Sequence, residues 1–416
     1  MFKKFIDLYQ SSLYRNAFFL VLNSVIMSGF GFLFWSLNTR FFDSNDVGLA
    51  LTLISSMSLI GTISLLGFDD ALIRFIGKSD KKNVKISAVY SLCIISSLIF
   101  SVIFVIFIKS LAPGISLITN NYFFMALFII FTIIWTLFIL TDGIFIAFRE
   151  SKYILIKNSI FSVLKLLLPF VLFGLGFVAM YYSWTIAAII ALLITILLVP
   201  KKLFHKPRIS VNFDVIKHMF LFSFSNYIMR ILLSAPGLLL PLIITNSLSA
   251  EKTAYFYVAW MISDLISVIP NSISMSFFAE ASYEEGDINN KIKKAIKISY
   301  IFIIPILIFV LLFSNFILGF FGESYASNSS SLLKILAIAS IPAALNTLFI
   351  TVNKVRKNIK KLIFVGVYFF VVFLSLVFIL VKRYDILGVG IAWLITNIIF
   401  SLFVLIKTKG LNYENA

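Results

Sequence analysis

Twelve times along this chain, about twenty residues pass with hardly a charge, and that recurrence limits the fold more than any other feature. The hydrocarbon layer of a bilayer is about 30 Å thick, and a helix rising ~1.5 Å per residue crosses it in roughly 20 residues. The runs fall at about 16–39, 48–72, 86–108, 122–147, 153–178, 181–200, 219–246, 253–279, 295–318, 329–351, 360–381 and 386–406. Stretches such as "SLCIISSLIFSVIFVIFI" are apolar on every face. A membrane β-strand would instead alternate with period two over about 10 residues. Composition agrees: 61% of the 416 residues are hydrophobic and 13% charged, against about 45–50% and 25% in soluble domains. The expected fold class is an all-α integral membrane protein with twelve transmembrane helices and no room for a separate soluble domain.

Lys and Arg in the connections set the orientation. With the N-terminus inside, the inner segments hold 27 of the 35 basic residues. The outer segments hold six: Arg40, Lys109, Lys252, Lys334, Lys382 and Arg383. Both termini are therefore expected on the cytoplasmic side. The same bias accounts for most of the +17 net charge, since basic loops at helix ends attract anionic headgroups at about 1 kcal/mol per residue. Membrane lipids are thus expected partners. Nucleic acid is not, because no basic soluble domain exists to bind it. "MFKKFIDLYQSSLYRN" is a basic amphipathic lead-in to a full-length span, without the small-residue cleavage site of a removable signal peptide.

The halves repeat at an offset of roughly 205 residues. Asp46-Val47-Gly48 opens the second span as Lys252-Thr253-Ala254 opens the eighth. "KSDKKNVKISAVY" leads into the third as "NNKIKKAIKISYI" leads into the ninth, and "MYYSWTIAAII" begins the sixth as "ILGVGIAWLI" begins the twelfth. Six spans per half is an even number, so both halves insert the same way round, as in transporters built from parallel repeats. The expected organisation is an N-lobe over 1–200, a basic cytoplasmic linker over 201–218 and a C-lobe over 219–416, two six-helix bundles facing each other across a cavity. The one cysteine, Cys93, lies in an apolar run and admits no internal disulfide; His205 and His218 lack partners at metal-ligand spacing. No metal and no cofactor are expected.

Five stretches in order carry a family likeness: "GFDDALIRFIGK" (67–78), "FRESKYILIKNSI" (148–160), "FFAEAS" (277–282), "FFGESYA" (320–326) and "LGVGIAWL" (387–394). With length and span count, they make the chain resemble the bacterial polysaccharide flippases (Wzx-like, O-antigen repeat-unit flippases) of the multidrug/oligosaccharidyl-lipid/polysaccharide exporter (MOP) superfamily. The resemblance implies a bilobed, MATE-like fold in the bacterial inner membrane. It implies translocation of a polyprenyl-diphosphate-linked oligosaccharide from the inner to the outer leaflet by alternating access, for O-antigen- or capsule-like polysaccharide. A polysaccharide polymerase and its chain-length machinery are the implied partners.

Two cations remain once the loops are counted, Lys165 and Arg230. Each sits near mid-depth, where a charge costs roughly 2.5–3.5 kcal/mol on the insertion scale. Residues so placed usually face a bundle interior or a watery cavity, and a cationic cavity suits a diphosphate. The alternative is a structural ion pair, Arg230 with Asp264 or Lys165 with Asp142. Asp264 and Asp142 are in turn candidates for proton or sodium coupling. Asp69, Asp70 and Arg74 read either as an interfacial structural cluster or as a cytoplasmic gate and headgroup entry. Arg40 reads as an interface anchor or as part of the exit. Asn23 and Asn226 read most simply as polar glue between helices. Prolines concentrate in the second half, and "LLSAPGLLLPLI" (232–243) is the expected site of a bent or broken span.

A cation-coupled multidrug antiporter of the same superfamily is the alternative function. Its substrates are typically cationic and call for an acidic cavity, yet the first span holds no Asp or Glu. An enzyme acting on the same lipid carrier would need an outer catalytic surface. The longest outer connection, about 109–121, has 13 residues and one charge, and no nucleophile, metal or paired-carboxylate constellation appears. No enzymatic activity is expected.

Overall fold

The structure is a computed structural model; it describes residues 12–76, 81–199, 212–283, 288–356 and 358–407. His205 and most of the basic linker lie outside the described residues, as do the side chains of His218 and Asn226. The described residues form helices and no strands. In the first part of the chain these are α1 (Ser12–Phe41), α2 (Ser44–Ser64), the short α3 (Phe68–Ile76), α4 (Lys82–Ile106), α5 (Tyr122–Ala147), α6 (Lys152–Val171) and α7 (Phe177–Leu198). Then follow α8 (Phe213–Ser247), α9 (Ala250–Tyr283), α10 (Ile288–Gly319), α11 (Glu323–Val355), α12 (Ile359–Tyr384) and α13 (Ile386–Lys407). All but α3 contain a stretch long and apolar enough to cross a membrane, giving twelve spans. Large apolar side chains such as Ile99, Ile106, Leu197, Leu312 and Ile406 stay exposed. A water-soluble protein rarely leaves so much apolar surface open, whereas a lipid-facing one requires it.

The chain packs as two compact units, Met1–Ile231 and Leu232–Ala416, and the division falls inside α8. Within the first unit α5 packs on α2 and α4, α2 on α4 and α7, and α6 on α7. Within the second, α11 packs on α9 and α10, α9 on α10 and α13, and α12 on α13. These five neighbour relations are the same when each helix is matched by order, so the repeat in the sequence is in that part a repeat in packing.

In the first unit, α1 and α6 also run side by side in one register. Asn16 accepts from the Ser151 amide (2.8 Å), the Asn158 amide group donates to Asn23 (2.9 Å), and the Ser162 hydroxyl meets Met27 sulfur (3.4 Å). Each pair is separated by 135 residues. Steps of seven and four residues keep all three on one helical face. Asn23 is thus polar glue, as expected.

Two local features depart from the sequence reading. The second span does not run on to residue 72. It ends at Ser64, and Leu66 (φ 50°) and Gly67 (φ 74°) turn the chain into the separate helix α3. Gly67 is required there. A Cβ on it would stand 2.5 Å from the Ser223 carbonyl oxygen, and a positive φ is costly for L side chains. In contrast, α8 runs as one helix through Pro236 and Pro241; membrane helices tolerate proline because neighbours re-satisfy the freed carbonyls. Irregular backbone appears instead at Phe313 (φ −110°, ψ 17°) in α10 and in a π-helical turn, Phe369–Phe373, inside α12.

Candidate functional site

The first unit holds two fully buried cations, Lys157 and Lys165, and a half-buried one, Arg230. By sequence Lys157 belongs with the loop lysines, but it is fully buried in the N-terminal part of α6. Its ammonium donates to the Phe138 carbonyl (2.5 Å), lies 3.6 Å from the centroid of the Phe138 ring and pairs with Asp142 at 2.8 Å. Asp142 therefore pairs with Lys157, not with Lys165. The physical reason is register: Lys157 lies level with the C-terminal turns of α5 that carry Phe138 and Asp142, and Lys165 is two turns further along α6.

Arg230 likewise has a different partner from the one expected. Its guanidinium grips Asp69 with two nitrogens, one at 2.8 Å, and approaches Asp70 at 3.6 Å, so Asp264 is not its counterion. One turn earlier on α8, the Tyr227 hydroxyl donates to the Ile63 carbonyl (2.8 Å), which also accepts from the Leu66 amide where α2 ends. Asp69 and Asp70 occupy the first turn of α3, where carboxylates suit the helix dipole. Burial, and then repulsion from Asp69, hold the Asp70 carboxyl above its ordinary range, against a smaller opposing pull from Arg230. Arg74 is exposed on the last turn of α3, stacked over Phe75 at 5.7 Å, and Arg40 is exposed at the end of α1.

Lys165 is the cation without an acid. Only 1% of it is exposed, and among the described residues no carboxylate pairs with it. Its ammonium is surrounded by aromatic rings: Trp184 at 4.4 Å from the ring centroid, Phe161 at 4.9 Å and Phe34 at 5.7 Å. Such contacts stabilise by about 0.5–1 kcal/mol each when exposed and about 2 kcal/mol or more when desolvated. Together they match the cost of placing the charge at mid-depth. Trp135 packs on both Phe161 and Trp184 (5.7 and 5.8 Å). The indole nitrogens of Trp135 and Trp184 are buried and have no hydrogen-bond partner among the described residues. The ammonium thus shares an aromatic box with Trp184, and Trp135 packs against that box; the ammonium and both indole N–H groups are donors without an acceptor among the described residues. Buried polar groups are rarely left so, and the arrangement can take an anion or an acceptor-rich group.

The second unit carries the opposite sign. Trp260, Ser263, Asp264 and Ser267 recur at three- and four-residue steps on α9, which places them on one face. With Ser340 of α11 and Trp393 of α13 they line a partly open recess of about 270 Å³ including its mouth. The Trp260 indole donates to Asp264, which has no cationic partner among the described residues. Sequence reasoning missed Trp135, Trp184, Trp260 and Trp393. The chain has 47 phenylalanines and 16 tyrosines, an aromatic background in which Trp135, Trp184 and Trp393 do not stand out. The recurrence of Trp260 with Ser263, Asp264 and Ser267 on one helical face was the only available signal.

Twelve spans in two similarly wired units, one holding Lys165 and the other Asp264 with no opposite charge paired to either among the described residues, define a multi-pass membrane transporter. The chain belongs to the polysaccharide biosynthesis protein family, whose model matches residues 38–330. A Shigella flexneri protein named as an O-antigen transporter is 25% identical over 165 residues, 39% of this chain; the match spans 40% of that relative's length. Among solved structures, an inward-facing multidrug resistance MATE family transporter of the MOP superfamily superposes over 95% of this chain and 96% of its own, with TM-score 0.68 and 16% identity. The lipid II flippase MurJ in an inward closed conformation superposes over 94% of this chain and 87% of its own, with TM-score 0.73 and 16% identity. A MOP superfamily transporter from Pyrococcus furiosus covers 95% and 94%, with TM-score 0.55 and 16% identity. At such identities the shared property is the fold. The expected fold class and the expected family are both borne out.

Proposed function

We propose that this protein is a flippase that carries a polyprenyl-diphosphate-linked oligosaccharide from the inner to the outer leaflet of the bacterial cytoplasmic membrane by alternating access. The product feeds surface polysaccharide assembly, and the protein performs no covalent chemistry itself. The observation that carries the reading is the Lys165 box. A buried ammonium with no carboxylate among the described residues, against the ring of Trp184 whose indole N–H is unpartnered, suits an anionic oxygen of the cargo's diphosphate or of an acidic sugar. Family membership and the O-antigen transporter likeness support the glycan as cargo. In this reading both termini are cytoplasmic, the halves 1–200 and 219–416 are the moving lobes, and a polysaccharide polymerase receives the product. Arg40 and Arg74 guide the headgroup at the two membrane faces, and Arg230 with Asp69 and Asp70 forms a gate rather than a binding site. The driving force is the membrane potential, which changes the energy of a crossing charge by about 2.3 kcal/mol per 100 mV. An anionic headgroup leaving a negative interior moves downhill.

The test is translocation in proteoliposomes. A polyprenyl-diphosphate-linked oligosaccharide is loaded on one leaflet, and its arrival on the other is read by exposure to an added glycosidase. Lys165→Met is expected to slow arrival at least tenfold, the loss of about 1.4 kcal/mol of transition-state binding. Unchanged translocation by a well-folded Lys165→Met protein would remove Lys165 from the site. A wild-type protein that moves no such lipid would remove the flippase reading.

A further inference from the structure

The recess around Asp264 asks for a different ligand group from the Lys165 box. An ionised carboxylate accepts hydrogen bonds and donates none. Asp264 uses part of that capacity on the Trp260 indole, and no cation neutralises it among the described residues. Ser263, Ser267 and Ser340 line the same recess, and the Ser340 hydroxyl, which donates to the Ala337 carbonyl (2.6 Å), keeps acceptor capacity. The Trp260 and Trp393 rings, 5.3 Å apart and inclined at 60°, supply flat apolar walls. Trp393 is held from behind by Phe373 at 5.0 Å and Phe369 at 6.0 Å. Those two rings come from the ends of the π-helical turn in α12, a rare backbone form that recurs at functional sites.

A hard metal cation fits this wall poorly. It prefers six or more oxygen ligands, and the recess offers one carboxylate and three hydroxyls between two rings. A sugar ring fits each part: adjacent hydroxyls donate to the carboxylate, remaining hydroxyls meet the serines, and the C–H face lies on an indole. The enclosed part of the recess admits about one water-sized group. One hydroxyl therefore enters while the ring lies across the mouth. We infer that the Trp260–Asp264–Trp393 face of the second unit is a subsite for a single sugar ring of the cargo, with Asp264 as hydroxyl acceptor and indole as stacking surface. The inference rests on the flippase reading for the origin of that sugar, but binding is measurable without transport.

The probes are methyl glycosides of glucose, N-acetylglucosamine and galacturonic acid, presented at millimolar concentration to the full-length protein in lipid nanodiscs. Saturation-transfer NMR is expected to show transfer to the ring protons of at least one neutral glycoside, reduced at least fivefold by Asp264→Asn and by Trp393→Leu. Ser263→Ala, the mildest change, is expected to weaken it about threefold and serves if either of the others fails to fold. Absence of transfer to all three glycosides, or transfer untouched by these substitutions, overturns the inference. So does binding of tetraethylammonium that depends on Asp264 without any glycoside signal, which makes the face a cation site. A wild-type protein that flips the lipid-linked glycan but binds no glycoside defeats this inference alone. One that binds glycosides and flips nothing defeats the flippase reading alone.

Discussion

Asp142 separates a structural role from a coupling role in one experiment. Its carboxylate is the counterion of Lys157, which is fully buried and held by the Phe138 carbonyl and ring. Asp142→Asn removes the charge and leaves the ammonium with one carbonyl and one aromatic face. Breaking a buried pair from one side costs about 3–5 kcal/mol. The Phe138 ring supplies about 2 kcal/mol or more of cation–π attraction to the buried ammonium, an interaction the wild type already has, so it does not reduce the loss. At about 2–4 °C per kcal/mol for a unit of some 200 residues, the expected fall in melting temperature is about 6–20 °C. Lys157→Met alone is expected to fall by a similar amount. The double variant Asp142→Leu/Lys157→Met carries no buried charge and is expected to regain most of the loss, since apolar replacement of a buried pair is often neutral or stabilising. The assay is thermal melting by fluorescence-detected size exclusion in one detergent, with translocation measured on the same preparations. If the double variant is stable and still moves cargo, Asp142 is a structural counterion and not a proton carrier. Asp142→Asn melting with the wild type would refute the reasoning, because the pair would then contribute nothing.

Two further outcomes test the α3 corner. Gly67→Ala places a Cβ 2.5 Å from the Ser223 carbonyl oxygen at φ 74°. It is expected to destabilise by at least about 1–2 kcal/mol from the backbone conformation alone, visible as a lowered melting temperature or loss of monodisperse protein. Asp70 titrates above its ordinary range because burial and Asp69 disfavour its charge. A carboxyl raised on folding contributes stability below its unfolded value and loses that contribution as pH rises through the folded value. Asp70→Asn is therefore expected to melt no lower than wild type at pH 7, with the gap closing toward pH 4; a gap that widens toward acid would reverse the sign.

The sequence displays what the bilayer imposes and conceals what tertiary register decides. Span number, the helical class and the anomaly of Lys165 follow from hydrocarbon thickness and the cost of charge, and both act on the chain locally. Arg230 was equally visible as anomalous, but its partner Asp69 lies 161 residues away, and no local rule selects it over Asp264. Lys157 escaped notice because a lysine near the start of a span looks like an interface residue that reaches back to water. Only the depth of α5 beside it shows that water is out of reach. The corner at Gly67 escaped for the opposite reason. "LLGFDDALIRF" stays apolar enough to prolong a span, and the turn is visible only in the approach of Ser223 and Tyr227.

The two halves also show how a repeat persists in structure after its chemistry has been exchanged. In the first half, α7 starts at Phe177 after Gly176 (φ 58°, ψ −136°), and the Phe177 amide donates to the carboxylate of Asp46 in the first turn of α2. In the second, α13 starts at Ile386 after Asp385, which adopts almost the same conformation (φ 57°, ψ −148°). There the Ile386 amide donates to Asp385 itself at 2.6 Å, and the other carboxylate oxygen pairs at 2.7 Å with Lys252, the counterpart of Asp46 in the repeat. A helix N-terminus needs an acceptor for its free amides and favours negative charge, and both junctions meet that need with one carboxylate. In one it comes from the neighbouring helix across a glycine. In the other it comes from the residue before the helix, at a conformational cost of about 1–3 kcal/mol for a non-glycine, offset by the lysine that replaces the lost acid. Gly176 matches Asp385, and Asp46 matches Lys252. Residue by residue these are unrelated or opposite, yet the backbone path is the same and each helix start has one carboxylate beside it, which in the second half is also paired with a lysine. What the repeat preserves is an electrostatic requirement of two helix ends, and that is why the kinship of the halves is plain in packing and faint in sequence.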